Sequence, residues 1–348
     1  NLKENNLHVM NYSQPINKKL NLESLKKILH SSSKLKNAIP YTFSYYKKNY
    51  GFNITHKEKL RLKNGTYKAV IKSKFKKGNL ILAEKEIKGN SNKNFLVSTY
   101  LCHPSMANNE LSGPLVLLGL YSKISSWEKR NFNYKFLINP ETIGSLSYLY
   151  KFKNKLKKNL SGGLVLTCLG GPKKKLSFKK SRNEDSSINK FIKLFHKKNL
   201  CEVRDYTPLT GSDERQYCSP GFDLPVGQVA RTVYLKYKEY HTSLDNKKFL
   251  NIKNILKSIE NIEYFLKIFD QLNIKISRYN KYGEIFLTKH NLHKDKKSND
   301  LTKTIIYLLS CKENELVIDI VSKYNLDFDV TIKAINILSK KKIIKINI

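Results

Sequence analysis

Cysteine is sparse and unpaired. Five residues (Cys102, Cys168, Cys201, Cys218 and Cys311) form an odd set with no Cys-x-x-Cys spacing. This argues against a disulfide framework and for reduced thiols in a cytosol-like compartment. No apolar run approaches the ~20 residues that a membrane-spanning helix needs, and no secretory leader is recognisable. A cytoplasmic protein without a membrane partner is therefore expected. The sequence begins at Asn1 without methionine, so a missing N-terminal piece is also expected. Acidic residues are few, 28 against 65 basic ones, for a net charge of +37. A charge of that size raises nucleic acid as a partner. The excess is mostly scattered lysine, however, and arginine is scarce, whereas nucleic-acid footprints cluster and lean on arginine as well. A general lysine and asparagine bias accounts for the charge more simply.

What the chain does have is a globular composition. At 348 residues, 40% hydrophobic with 21 Tyr and 16 Phe, it is long enough for a large core and too apolar for disorder. The run from Phe95 to Gly113 organises the rest. Phe95 to Tyr100 reads as a buried central strand, broken at His103-Pro104. A polar loop follows, and Gly113-Pro114 opens a helix over 114–125. Strand, loop, helix places His103, Asn109 and Glu110 outside the carboxyl end of a strand, where open α/β sheets carry their sites.

Upstream, residues 1–38 contain an extended piece and a helix over Asn21 to His30. Residues 39–93 read as a small inserted antiparallel β module. Downstream, strands at Tyr134 to Asn139, Gly163 to Cys168 and Leu224 to Val229 alternate with helices, predicting a mostly parallel sheet flanked by helices over 94–285. A lysine- and asparagine-rich linker (286–299) leads to helices at 301–310, 315–324 and 329–340 and a strand at 343–348, the pattern of a winged helix. Lys333 and Lys340 to Lys342 suit phosphate contact. Base readout lacks an arginine, so nucleic acid is not the favoured partner.

Further candidates for chemistry follow later strands. Glu141 lies in Pro-Glu-Thr-Ile-Gly-Ser, Asp213 in Gly-Ser-Asp-Glu-Arg, and His241 in Glu-Tyr-His-Thr-Ser-Leu-Asp. Singly, each has an ordinary reading: a cap, an ion pair, a helix start. Jointly, two imidazoles and several carboxylates at one sheet edge match the ligands zinc prefers. A carboxylate beside the metal can take up a proton. Asp245 or Glu239 could orient His241.

Four ordered motifs, His-x5-(Asp or Asn)-x2-Ser-Gly, Glu-Thr-x-Gly-Ser, Gly-Ser-Asp-Glu-Arg-Gln-Tyr-Cys-Ser-Pro-Gly and Glu-Tyr-His-Thr-Ser-x-Asp, resemble the aminopeptidase-like domain proteins. These are often named as polysaccharide-biosynthesis proteins and are related to zinc aminopeptidases and glutaminyl cyclases. The resemblance covers nearly the whole chain and implies that fold. It implies His103 and His241 as metal ligands, Glu141 as general base and position 109 as the bridge between two zinc ions.

The sequence departs from the active peptidase pattern at three points. Asn109 is neutral, Thr142 stands where a second glutamate is usual, and Thr167-Cys168 replace an aspartate. Two dications about 3.5–4 Å apart need anionic ligands between them, so one zinc ion is expected, with Glu110 replacing Asn109 as ligand. Asp213 is a second catalytic candidate, steadying a substrate amine or a histidine. Arg215, Arg231 and Tyr240 are candidates for holding a substrate carboxylate or an oxyanion.

The expected activity is hydrolysis or acyl transfer at an amide in a small peptide-like substrate, with a place in surface-polysaccharide biosynthesis implied by the family naming. The alternative is a catalytically degenerate binding or regulatory protein that uses the pocket and the winged helix.

Overall fold

The computed structural model describes residues 6–292 and 300–348. In the N-terminal region, strand β1 (Ile16–Asn21) precedes helix α1 (Leu22–Lys27), which starts where the Asn21 side chain accepts the Ser24 amide at 2.9 Å. Short strands β2 (Leu29–His30) and β3 (Phe52–Asn53), helix α2 (His56–Leu60) and strand β4 (Thr66–Ile71) follow. β1 pairs antiparallel with β4 along its whole length, so part of the segment 1–38, assigned from the sequence to the large domain and with no strand expected at 16–21, pairs with the expected module. The next strand, β5 (Ala83–Ile87), leaves that module and pairs antiparallel with the large sheet. Apolar alternation reveals that a segment is a strand but not which neighbour it takes.

The large sheet contains β5, β6 (Asn94–Tyr100), β7 (Asn133–Asn139), β8 (Leu160–Leu166), β9 (Ser177–Lys179), β10 (Glu202–Arg204) and β11 (Val226–Ala230), in the order β10-β9-β11-β8-β6-β7-β5. The strands that carry the candidate residues, β7, β6, β8 and β11, run parallel, and β5 and β9 pair antiparallel with their neighbours in that set. The sheet is thus mostly parallel, as expected from the sequence, with antiparallel pairings only at β5 and between β9 and β11.

Every residue of β6 is buried, as its uninterrupted β-branched and aromatic run predicts. Its side chains alternate. Phe95 and Val97 join the core beneath α3 (Ser112–Ser125), α5 (Ser187–Lys197) and α7 (Ile252–Leu272), whereas Leu96 faces the cluster built with Tyr148 and Leu149 of α4 (Ile143–Asn159) and Tyr217 of α6 (Glu214–Tyr217). Helix α3 lies close enough to the sheet that a Cβ at Gly113 would sit 2.1 Å from Thr99 Oγ1, a position only glycine can fill.

After β12 (Lys275–Arg278), part of the expected linker (293–299) lies outside the described residues. The tail then forms α8 (Asp300–Leu309), β13 (Glu315–Leu316), α9 (Val317–Tyr324), α10 (Phe328–Lys340) and β14 (Ile344–Asn347). The three expected helices and the final strand are present. β14 pairs with β12, which comes from before the linker, so the wing expected after the third helix is replaced by a β13-β12-β14 sheet. The tail is joined to the large domain through apolar contact, with Phe328 stacked on Phe195 at 5.2 Å between ring centroids. Among the described residues no helix is long and apolar enough to cross a membrane.

Candidate metal and catalytic site

Three segments converge at the carboxyl ends of the central strands. The first follows β6, where Cys102 and His103 lead into a single π-helical turn, Ala107–Leu111, that merges with α3. Such turns are uncommon and often mark functional sites. Glu110 sits inside this turn, 1% exposed, and its carboxylate is fully engaged. Oε2 accepts the amides of Cys102 and of His103 (2.9 Å), and Oε1 faces His103 Nδ1 (2.7 Å) and Asn109 Nδ2 (2.9 Å).

Glu110 therefore orients His103 instead of standing free as the ligand expected in place of Asn109. With Nδ1 turned to a carboxylate, the imidazole presents Nε2 to the site, the arrangement typical of metal-binding histidine. Asn109 is likewise engaged. Its Nδ2 donates to Glu110, and Cys168 Sγ approaches its Oδ1 at 3.8 Å.

The second segment follows β7. Thr142 has φ 65° and ψ −69°, and the Ile143 amide donates to Glu141 O at 2.8 Å, a strained γ-turn. Asp213 holds that turn in place. Its oxygens accept the Thr142 amide at 2.7 Å, Ser145 Oγ at 3.0 Å and Asn139 Nδ2 at 2.8 Å. Fully buried behind the turn, Asp213 is a positioning residue for Glu141 and not the substrate contact expected from the sequence. Ser212 Oγ donates to Glu141 Oε1 at 2.6 Å, and Glu141 Oε2 lies 3.9 Å from His103 Nε2. Burial, with the nearby Asp213 charge, pushes the Glu141 carboxyl up to about 7 against the opposing bond from Ser212.

His241 comes from the third segment, beyond β11. Its φ is 54°, its ring stacks on Tyr240 at 3.9 Å, and it lies 5.1 Å from the His103 ring, centroid to centroid. Tyr41 sets its edge against both imidazoles, at 5.1 and 5.4 Å. The N-terminal region also fixes this loop by main-chain bonds, Tyr41 N to His241 O at 2.8 Å and Ser243 N to Ile39 O at 2.9 Å. Asp245, expected to orient His241, instead accepts the amides of Asn108 and Asn109 (2.6 and 3.0 Å) and shapes the π turn. His241 Nε2 is buried without a hydrogen-bond partner. Burial and the neighbouring His103 charge hold His241 down to about 3, so it stays a neutral donor of a lone pair. Burial opposes charge on His103, but its bonds to Cys102 and Glu110 prevail and push it up to about 11, so a cation binding at Nε2 must displace a proton there.

Two observations bear on a single cation. A buried imidazole nitrogen without a partner is a costly arrangement unless something occupies it. Donor atoms of Cys102, His103 and Glu141 also lie within 4.8 Å of one another. They do not fit two cations, because position 109 offers a neutral amide already engaged on both ends.

Of the expected substrate contacts, Tyr240 belongs to the cluster. Arg231 does not serve there: Nε donates to Ser258 Oγ and Nη1 to the carbonyls of Lys173 and Lys174, fastening that turn to α7. Arg215, in α6, donates to Pro208 O of the preceding loop. Sequence reasoning missed Tyr41, Ser212 and Cys102. The latter two adjoin Asp213 and His103, whereas nothing local marks Tyr41.

Comparison with known proteins places this fold in a family. A Clostridium acetobutylicum protein named "Putative polysaccharide biosynthesis protein with aminopeptidase-like domain" is 43% identical over 251 residues, 72% of this chain and 57% of that protein. The chain thus matches little more than half the length of that curated relative. A crystal structure titled as a "putative peptidase" from Clostridium acetobutylicum is 34% identical, covers 98% of this chain and 78% of its own, and superposes with a TM-score of 0.87. The zinc aminopeptidase BSAP from Bacillus subtilis shares the fold at 14% identity, with 68% of this chain and 62% of its own covered and a TM-score of 0.53. Residues 9–272 match the family described as "Domain of unknown function (DUF4910)". The chain, an α/β protein of aminopeptidase-like fold, belongs to that family.

Proposed function

We propose that this protein is a zinc-dependent aminopeptidase-like hydrolase that cleaves or transfers an acyl group at an amide bond. His103 and His241 would hold one ion through their Nε2 atoms. Bound zinc supplies a Lewis acid at the amide carbonyl. Glu141 is the general base: it takes a proton from the attacking water or amine as the new bond to the carbonyl carbon forms. It then returns that proton to the departing nitrogen as the carbon–nitrogen bond breaks. Ser212 anchors one oxygen of Glu141 and leaves the other facing His103, and Asp213 keeps the turn rigid so that this oxygen does not wander.

The observation that carries the reading is the 3.9 Å approach of Glu141 Oε2 to His103 Nε2 beside the partnerless Nε2 of His241. Zinc content of the purified protein, together with turnover of aminoacyl arylamides by Glu141→Gln, tests it. The variant should keep its metal and lose roughly 10²–10⁴-fold in rate. A place in polysaccharide biosynthesis is supported by the name of the Clostridium acetobutylicum relative.

A binding protein without turnover is the second reading, favoured by the neutral, fully engaged Asn109. Under it, Glu141→Gln leaves every phenotype unchanged.

A further inference from the structure

We infer that Cys102 is a thiolate ligand of the metal, supplying the negative charge that Asn109 withholds; this rests on the metal-site reading above. A dication held by neutral imidazoles alone is poorly compensated, and the site's other anions are accounted for. Glu110 accepts four N–H groups, Asp245 is spent on the π turn and on Tyr237, and Asp213 is spent on the Thr142 turn. Glu141 is needed as the base. Cys102 remains, and its sulfur lies with a His103 nitrogen and a Glu141 oxygen inside one 4.8 Å cluster.

The surroundings of the sulfur suit an anion. The Glu141 amide donates to it at 3.4 Å, and His103 Nδ1, held as a donor by Glu110, is 3.2 Å away. Partial burial of the sulfur and the Glu110 charge push the Cys102 thiol up, but a coordinating dication deprotonates a thiol outright. The same geometry argues against a nucleophilic cysteine activated by His103. Nδ1 cannot both donate to Glu110 and accept the thiol proton, and Nε2 faces Glu141. Zinc takes sulfur and nitrogen donors together and can keep a position open for substrate. A thiolate also biases the site toward zinc or cobalt and away from magnesium or manganese.

The test is cobalt(II) titration of the full-length protein, read by absorption, beside zinc stoichiometry and competition for zinc. The wild type should bind one cobalt and show thiolate-to-cobalt charge transfer in the near ultraviolet. Cys102→Ser and Cys102→Ala should lose that band and weaken zinc binding by more than the roughly 10–100-fold that loss of a merely supporting group costs. Their metal-free melting temperature should be unchanged. Cobalt bound without the band, a band that persists in both variants, or unchanged zinc affinity overturns the thiolate ligand and leaves the hydrolase reading standing. A wild type that binds neither metal overturns both.

Discussion

Glu110 grips His103 at two points, the backbone amide at 2.9 Å and ring Nδ1 at 2.7 Å, from seven residues away inside the π turn. Glu110→Gln keeps the shape but sets an amide NH2 against N–H donors. It should lower zinc affinity by about 10–100-fold and cost about 1–3 kcal/mol of stability through unsatisfied buried groups. Zinc competition and denaturant unfolding measure the two effects. Unchanged values for both would mean that His103 is oriented by something else.

Asp213→Asn removes acceptors from the strained Thr142 turn. Glu141 should then lose its fixed position, so kcat falls while KM moves little, and stability drops by about 1–3 kcal/mol. Steady-state kinetics and thermal unfolding of the same preparation show whether the two losses occur together.

In the metal-free protein Glu141 should titrate near pH 7. The folded-state value lies above the ordinary 4.5, so deprotonation opposes folding. Its contribution to stability is present below about pH 4.5 and disappears as pH rises through 7. Ser212 donates to the charged form, so Ser212→Ala should move the titration upward. Carboxyl-carbon NMR follows the shift directly. A downward shift would contradict the assigned role of Ser212.

Two of the contacts between the tail and the large domain carry very different weights. Phe328→Ala should destabilise by about 3–5 kcal/mol, because a buried ring stacked on Phe195 leaves a cavity. The partly exposed Lys190–Asp319 pair, 2.7 Å apart, should contribute about 0–1 kcal/mol. Urea unfolding of Phe328→Ala and Lys190→Ala ranks them.

The central sheet was legible because β6 is buried on both faces and its composition cannot mean much else. The converging residues could be read from their positions after successive strands. Their division of labour could not. A carboxylate that ligates and one that accepts four N–H groups have the same letter, and Glu110, Asp213 and Asp245 all proved to hold backbone. Arg231 stood out for its rarity, yet it serves as an internal brace. The partner of β5 and the origin of the tail's third strand escaped for a different reason, since both depend on pairings between distant segments.

The main-chain bonds from Ile39 and Tyr41 to the His241 loop carry a consequence for dissecting this molecule. A truncated version lacking the front of the chain would retain its central sheet but release one wall of the pocket, so half of the proposed chelate would go slack. The leading segment is a strut of the proposed pocket, so truncations meant to test metal binding at His241 should leave it in place.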